Sequence, residues 1–395
     1  MPHPRERYSL SWFNKKLAFQ RVVLVQGARQ CGKSFFLRDI FAKKHPESIY
    51  VTLDQPSERK FASDNPESFI EKLKLSKPVM IDEAQKVPSL FDAVKFVVDQ
   101  DPRPGQFVLA GSTEFSIKSN IREALTGRAA TLRMFPLTMG EARQIPPVKI
   151  RLFPTKTTPT NIDRAELMRH LKRGGMPGMF FIHGQAERAE LMADWIQLTT
   201  QRDIQQLPGS KKDPSLASDI LQQVATLEEP TVSSLAKTLR VSARKINSHV
   251  DALLTLFALV GLPPSRFGTG KSRLYLCDVG FASFLGASFK RQLETLYLQE
   301  LMAYQSCFEP NSINHLSFYR TSKGSLIDFV FQDAKSGYHC VKIHDRESIN
   351  QLDIRILLSL AKKLDKPASL ICAAGVRRPQ RLEGVAVVPW EAVCG

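Results

Sequence analysis

This chain has little that points toward a membrane, a metal cage or a disulfide framework. None of its apolar runs approaches the roughly 18 residues that a membrane-spanning helix requires. Its first residues, Met1-Pro2-His3-Pro4-Arg5-Glu6-Arg7, hold no apolar segment of the secretory kind. The two absences predict a cytoplasmic protein with no membrane partner. Cysteine is sparse and scattered: the six residues Cys31, Cys277, Cys307, Cys340, Cys372 and Cys394 form no C-x-x-C pair. That spacing argues against a zinc site and a disulfide scaffold. Acid is the scarcer charge. Against 55 Lys and Arg stand 39 Asp and Glu, a formal net charge of +16. Such a surplus favours a polyanionic partner, and double-stranded DNA is one candidate beside a protein partner. With 395 residues, 43% of them hydrophobic, the chain can build two or three domains with full cores.

The most specific stretch is "GARQCGKS", Gly27 to Ser34, directly after the apolar run Val22-Val23-Leu24-Val25. It fits G-x-x-x-x-G-K-[ST]. Phe35, Phe36, Leu37, Ile40 and Phe41 follow at helical spacing, so the loop joins a buried strand to a helix, the context this motif requires. Glycines let backbone N–H groups of Gly27, Ala28, Arg29, Gln30, Cys31 and Gly32 approach phosphates, and the helix N-terminus adds positive potential. Lys33 is expected to reach the β- and γ-phosphates of ATP, and Ser34 to hold Mg²⁺.

About fifty residues on, as expected of a neighbouring strand, Val79-Met80-Ile81 delivers Asp82-Glu83. This is a Walker B arrangement: Asp82 toward Mg²⁺, Glu83 polarising the attacking water. Without the glutamate, a nucleotide switch that binds and does not hydrolyse would be the better expectation. A third run, Gln106 to Ala110, leads to Gly111-Ser112-Thr113, where Ser112 or Thr113 would sense the γ-phosphate from between the two Walker strands. Arg128, in Thr126-Gly127-Arg128, is a candidate arginine finger directed at a neighbouring subunit's nucleotide, which makes a homo-oligomer an expectation.

"GARQCGKS", "IDEAQKVP", "LAGST" and "LTGRAATLRMFPLTMGEA" together resemble the prokaryotic AAA+-type P-loop ATPases of the AAA_14 or archaeal-ATPase kind, which carry a C-terminal DUF4143 domain. The resemblance covers nearly the whole chain. Cys31 departs from it, since relatives carry valine or threonine there, and its thiol is a candidate for modification. "GGMPGMF" from Gly174 and "TTQRDIQQL" from Thr199 resemble the opening of the family's C-terminal part.

A proline-rich, basic stretch from Arg143 to Ile162 reads as a linker. Then comes a winged-helix pattern. Leu216 to Leu227 is one helix, Thr231 caps a second bearing Leu235, Ala236 and Leu239, and Ala243 to Leu254 is a candidate recognition helix. Ile246, Val250 and Leu253 should face inward; Arg244, Lys245, Asn247, Ser248 and His249 outward. Arg266, Lys271 and Arg273 fall where a wing would reach DNA. Beyond it, "LETLYLQELMAYQ" with Glu294 and Glu300, "YRTSKGSLIDFVF" with Asp328, and "YHCVKIH" with Lys342 resemble the PD-(D/E)xK nuclease-like fold. Cys340 holds the acid position of that motif, and a thiol is a poor Mg²⁺ ligand.

The expected fold is therefore α/β: an AAA+-like parallel sheet with helices on both faces, a winged helix, and a nuclease-like α/β domain without activity. Its boundaries are 1–142 for the ATPase domain, 143–207 for a linker and helical connection, 208–286 for the winged helix and 287–395 for the nuclease-like domain. The expected function is ATP hydrolysis coupled to a DNA or protein partner. An ATP-gated, metal-dependent nuclease and a non-hydrolysing switch are the alternatives.

Overall fold

The computed structural model describes residues 5–73, 78–115, 125–146, 162–207, 209, 211–307, 313–322, 324–333, 337–349, 351–364, 367 and 369–393. Most of the expected linker, 147–161, lies outside them. The chain divides into two compact units, residues 1–135 with 255–257, and residues 136–254 with 258–395.

The first unit is a five-stranded parallel sheet flanked by helices. Its strands are β1 (Val22–Gln26), β2 (Ile49–Thr52), β3 (Val79–Asp82), β4 (Phe107–Gly111) and β5 (Ala129–Arg133), in the order β2-β3-β4-β1-β5. Every residue of β1, β3 and β4 is buried, while β2 and β5 are mostly half-buried. Near-continuous apolar runs suit strands covered on both faces, and the less apolar runs take the edges. The helix Leu90–Gln100 turns Leu90, Phe91, Val94 and Val98 to the sheet at helical spacing, against Phe107 and Leu109. One expectation needs correction. The strand ending in Asp82 does not neighbour β1; β4 lies between them, as expected of the strand that leads to Ser112. A parallel pair needs only a crossover connection, so sequence distance does not fix lateral order.

In the second unit, helices Pro214–Thr226, Val232–Leu239 and Ala243–Thr255 precede an antiparallel pair, β6 (Leu259–Leu262) and β7 (Arg273–Leu276). Thr231 caps the second helix as expected, in a capping box with Ser234. Ile246, Val250 and Leu253 are buried. A six-stranded sheet follows, in the order β12-β13-β11-β10-β9-β8, from β8 (Ile313–Arg320), β9 (Leu326–Asp333), β10 (Gly337–Ile343), β11 (Ser369–Ala374), β12 (Gln380–Leu382) and β13 (Val385–Pro389). The helix Phe289–Cys307 is buried almost all round between Arg291 and Tyr304.

Two outward assignments fail. His249 is buried, its Nε2 accepting from the Asp213 N–H at 2.9 Å and its Nδ1 lying 2.9 Å from the Lys245 carbonyl. Arg273 is 2% exposed and ion-paired inside the unit. The loop between β6 and β7 does not project as a wing. It lies along β8, with Ser265 N–H donating to Phe318 O at 2.6 Å and Phe318 N–H to Pro263 O at 3.0 Å. This covers a sheet edge whose backbone groups would otherwise be unpaired.

The "GGMPGMF" segment is a packing device. Gly174 has φ +70°, and a Cβ there would meet Asp278 Oδ1 at 1.9 Å. Buried Asp278 accepts from Gly175 N–H at 2.7 Å and Gly280 N–H at 2.8 Å, and caps the Val279–Phe284 helix. Burial pushes its carboxyl up to about 6, against the pull of those N–H donors.

Candidate nucleotide site

The loop after β1 is built from residues that tolerate unusual backbone. Gln30 has φ +64° and Gly32 φ +101°, and helix begins at Lys33. Gly27 carries no side chain because a Cβ would meet the Met134 carbonyl oxygen at 2.2 Å. Ala28 and Cys31 are buried, Arg29 and Ser34 half-buried. Cys31 is fully buried, so its expected availability for modification is corrected: its sulfur faces Lys33 Nζ at 4.0 Å.

Lys33 is only 4% exposed. Its ammonium donates to the Gly27 and Ala28 carbonyls, both at 2.9 Å, and among the described residues no carboxylate pairs with it. Its hydrogen-bond partners are dipoles and a thiol, and Glu83, whose charge it favours, forms no ion pair with it, so its desolvation is only partly offset. The loop thus fits a phosphate. Arg7, which nothing in its local sequence marks, steadies the loop from behind: Nη1 donates to Cys31 O at 3.0 Å and Nη2 to Phe135 O at 2.6 Å.

At the end of β3, Asp82 is buried. Its Oδ1 accepts from the Glu83 N–H at 3.0 Å, and its Oδ2 from the Tyr50 hydroxyl at 2.7 Å. Tyr50, on β2, is a member of the site that the sequence does not announce, since an aromatic in a strand reads as core. Its hydroxyl is also close enough to Ser34 to be influenced by it. Two oxygen donors, Ser34 and Asp82, thus share one polar corner, which suits a hard divalent ion such as Mg²⁺.

Glu83 has φ +56°, a left-handed conformation rare for a residue with a side chain. Its carboxylate is clasped by Gln85 Nε2, which also donates to Ser112 Oγ at 3.2 Å; Ser112 Oγ lies 3.4 Å from Glu83 Oε2. Of Ser112 and Thr113, Ser112 is the one brought to Glu83. Gly111 makes room for this clasp, because a Cβ there would meet Gln85 Oε1 at 2.3 Å. Burial raises the Glu83 carboxyl, Lys33 draws it down, and Asp82 and Asp54 push it up.

Arg128 is not brought to the loop. It precedes Ala129, which pairs with Val22, so it sits at the end of the sheet opposite Gln26, where the loop begins. It forms an ion pair with Asp99 and donates to Thr126 O at 3.2 Å. Arg133, level with Gln26, is the β5 arginine at the loop's end of the sheet.

The second unit holds another charge cluster. Glu294, Asp328, Arg273 and Arg291 are all at most 3% exposed. Arg273 Nη2 meets Glu294 Oε2 at 2.9 Å while its Nη1 lies 3.7 Å from Asp328 Oδ1. Arg291 Nη1 also meets Glu294 Oε2 at 2.9 Å, and Lys342 Nζ stands 3.9 Å from Asp328 Oδ2. A guanidinium therefore bridges the two carboxylates. Among the described residues no group of three or more His, Cys, Asp or Glu is placed to hold a metal. Glu300 faces elsewhere, accepting from the Met139 N–H at 2.8 Å. No helix among the described residues is long and apolar enough to cross a membrane.

Family comparison matches residues 19–143 to an AAA domain (AAA_14), residues 164–292 to a domain of unknown function (DUF8612), and residues 289–393 to another (DUF4143). Uncharacterised proteins of Mycobacterium bovis and Mycobacterium tuberculosis are each 25% identical over 266 residues, 66% of this chain and 54% of theirs. The chain thus matches about half the length of these curated relatives. Among solved structures, a signal-transduction ATPase with numerous domains (STAND) from Pyrococcus horikoshii is 11% identical, covering 78% of this chain and 49% of its own, at a TM-score of 0.27. A protein from Vibrio cholerae is 12% identical, covering 94% and 95%, at 0.22. A DNA polymerase III gamma subunit-related protein from Thermotoga maritima is 11% identical, covering 64% and 98%, at 0.26. Superpositions of this quality do not by themselves establish a shared fold. The family matches and the loop geometry agree: the chain carries an AAA-type P-loop domain over residues 19–143 and a C-terminal DUF4143 domain over residues 289–393.

Proposed function

We propose that this chain binds and hydrolyses ATP, and that its nucleotide state controls a DNA or protein partner met by the C-terminal half. The observation that carries the first part is Lys33, a buried cation whose partners are two carbonyls and a thiol. The β,γ-phosphates of ATP supply the missing anion, with the loop N–H groups of residues 27–34 turned to the same ligand. Ser34 and Asp82 would hold Mg²⁺, which when bound neutralises charge on the phosphate oxygens. Glu83 accepts the proton of the attacking water at its carboxylate, and its raised affinity for protons suits that task. Ser112 and Gln85 orient that carboxylate. Arg128 would act on a neighbouring copy's nucleotide only by leaving Asp99, which ties a finger role to assembly.

In the second unit, the three helices are read as a helix-turn-helix module of winged-helix type whose hairpin loop is packed on β8 in place of projecting, and the six-stranded sheet as a nuclease-like domain in a structural role. Metal-dependent cleavage is disfavoured by the guanidinium of Arg273 lying between Glu294 and Asp328.

Two variants test the ATPase. Lys33→Ala should abolish nucleotide binding or weaken it severely, by about a hundredfold or more. Glu83→Gln should keep ATP bound while slowing phosphate release by about a hundredfold or more, the usual scale of a lost general base. Binding without turnover in the unaltered chain would instead favour the non-hydrolysing switch. Stimulation of phosphate release by double-stranded DNA would join the two halves of the proposal.

A further inference from the structure

Two short basic segments of the second unit meet at one open cavity of about 480 Å³. Lys211 and Lys212 come from the stretch before the Pro214–Thr226 helix; Arg244 and Lys245 come from the first turn of the Ala243–Thr255 helix. The hydroxyl residues Ser242 and Ser248 complete the wall. One carboxylate, Asp213, shares the cavity. Its Oδ1 accepts from Ser215 and Leu216 N–H as a helix cap, and its Oδ2 lies 3.5 Å from Lys245 Nζ. Four cations thus line a cavity with one acid, which pairs with Lys245, while Lys212 also acts on Asp251.

This arrangement works against the fold. Like charges crowd together, and no acid stands in the first turn of the Ala243–Thr255 helix, where cations oppose the helix dipole. The segments are nonetheless fastened in place. Buried His249 ties them: its Nε2 accepts from Asp213 N–H, and its Nδ1 lies 2.9 Å from the Lys245 carbonyl. The hairpin cations are engaged elsewhere, away from this cavity. Arg273 is buried in ion pairs, Lys271 donates to Ser233 Oγ at 2.9 Å, and Arg266 to the Tyr338 hydroxyl at 2.8 Å.

We infer that this cavity, and not the hairpin, binds the phosphodiester backbone of double-stranded DNA. The inference rests on the proposal that the C-terminal half meets DNA, and names the surface. A duplex is favoured because the cations lie on the opening turn of a helix that follows a helix and a short turn, a geometry that suits a major groove. The deep, narrow groove of RNA does not admit a helix.

The test measures binding of a labelled duplex of roughly 20 base pairs, about two helical turns, to the full chain by fluorescence anisotropy across a salt series without nucleotide. Replacing Lys211, Lys212, Arg244 and Lys245 together by alanine should weaken binding at least about tenfold and lower the log–log salt slope by roughly three to four units. Arg266→Ala with Lys271→Ala should bind as the unaltered chain does. Should the quadruple variant melt early, Lys211→Ala with Lys212→Ala, outside any helix, should take roughly half of that slope. The same series in a Lys33→Ala chain should behave identically, so failure of the ATPase reading leaves this result standing. An unchanged slope in the cavity variants, an equal loss in the hairpin variant, or preference for polyglutamate or duplex RNA over DNA would overturn the inference.

Discussion

Two buried charge sites in this molecule look alike in sequence and differ in kind. At the phosphate loop, Lys33 has carbonyl and thiol partners and, among the described residues, no carboxylate in an ion pair with it. At the Arg273 cluster, two guanidinium groups meet the Glu294 carboxylate at 2.9 Å and Arg273 also stands 3.7 Å from Asp328. The cation of the first site has no carboxylate paired with it, whereas at the second every buried carboxylate stands beside cations. Uncompensated buried charge is costly unless a ligand completes it, whereas a closed ion-pair network completes itself and marks architecture. By this criterion the loop is suited to a ligand, and the Arg273 cluster is a strut.

Arg273→Met should break this comparison most visibly. It leaves Glu294 and Asp328 buried without their shared cation, and loss of one partner of a buried pair costs about 3–5 kcal/mol. Chemical denaturation should show that loss, with nucleotide affinity unchanged. A variant as stable as the parent would mean the cluster is not a strut. Lys33→Met should do the reverse. Stability should hold or rise, while ATP affinity falls by about a hundredfold, roughly 3 kcal/mol of charge-assisted hydrogen bonds. Equal effects on stability from both substitutions would erase the distinction.

A third variant sharpens it with pH. Burial raises the Glu300 carboxyl well above its ordinary value of 4.5, with Glu141 adding to the rise and the Met139 N–H opposing it. The folded state therefore holds this proton more tightly than the unfolded state. Its stabilising contribution is complete below about pH 4.5 and is lost as pH rises through the folded value. Glu300→Gln keeps an oxygen for Met139 N–H and has no proton to lose. Melting temperature plotted against pH should fall less steeply above pH 4.5 in the variant; parallel curves would contradict the assignment. The smallest effect is expected of Tyr50→Phe. Asp82 loses one hydroxyl donor, a cost of about 1 kcal/mol in unfolding free energy. No measurable change would show that the hydroxyl is not holding the carboxylate.

The loop, the acid pair and the polar strand end were legible because each is local. A strand, a glycine turn and a helix start occupy consecutive residues, so spacing alone carries the chemistry. Ser112 and Thr113 could not be separated that way. The choice falls to Ser112 through Gln85, which touches both Ser112 and Glu83 across the sheet. His249 and Arg273 were misplaced for a related reason. Helical spacing puts His249 near the outer face, but Asp213 N–H needs an acceptor there. Hairpin position puts Arg273 on a wing, but Glu294 and Asp328 need a cation.

By itself, the sequence determined the phosphate loop, Asp82 with Glu83, the parallel character of the first sheet and the three-helix pattern of the second unit. Each follows from backbone freedom, apolar periodicity or capping within a few residues. Only the tertiary structure decided that Tyr50 lies against Asp82 and Arg7 against the loop, that Arg128 sits at the far end of the sheet, and that Arg273 and His249 are buried. Those are matters of which groups meet across long sequence separations. A buried charge is read correctly only once everything packed against it is known, because its free energy is set by all its neighbours together and not by its place in the chain.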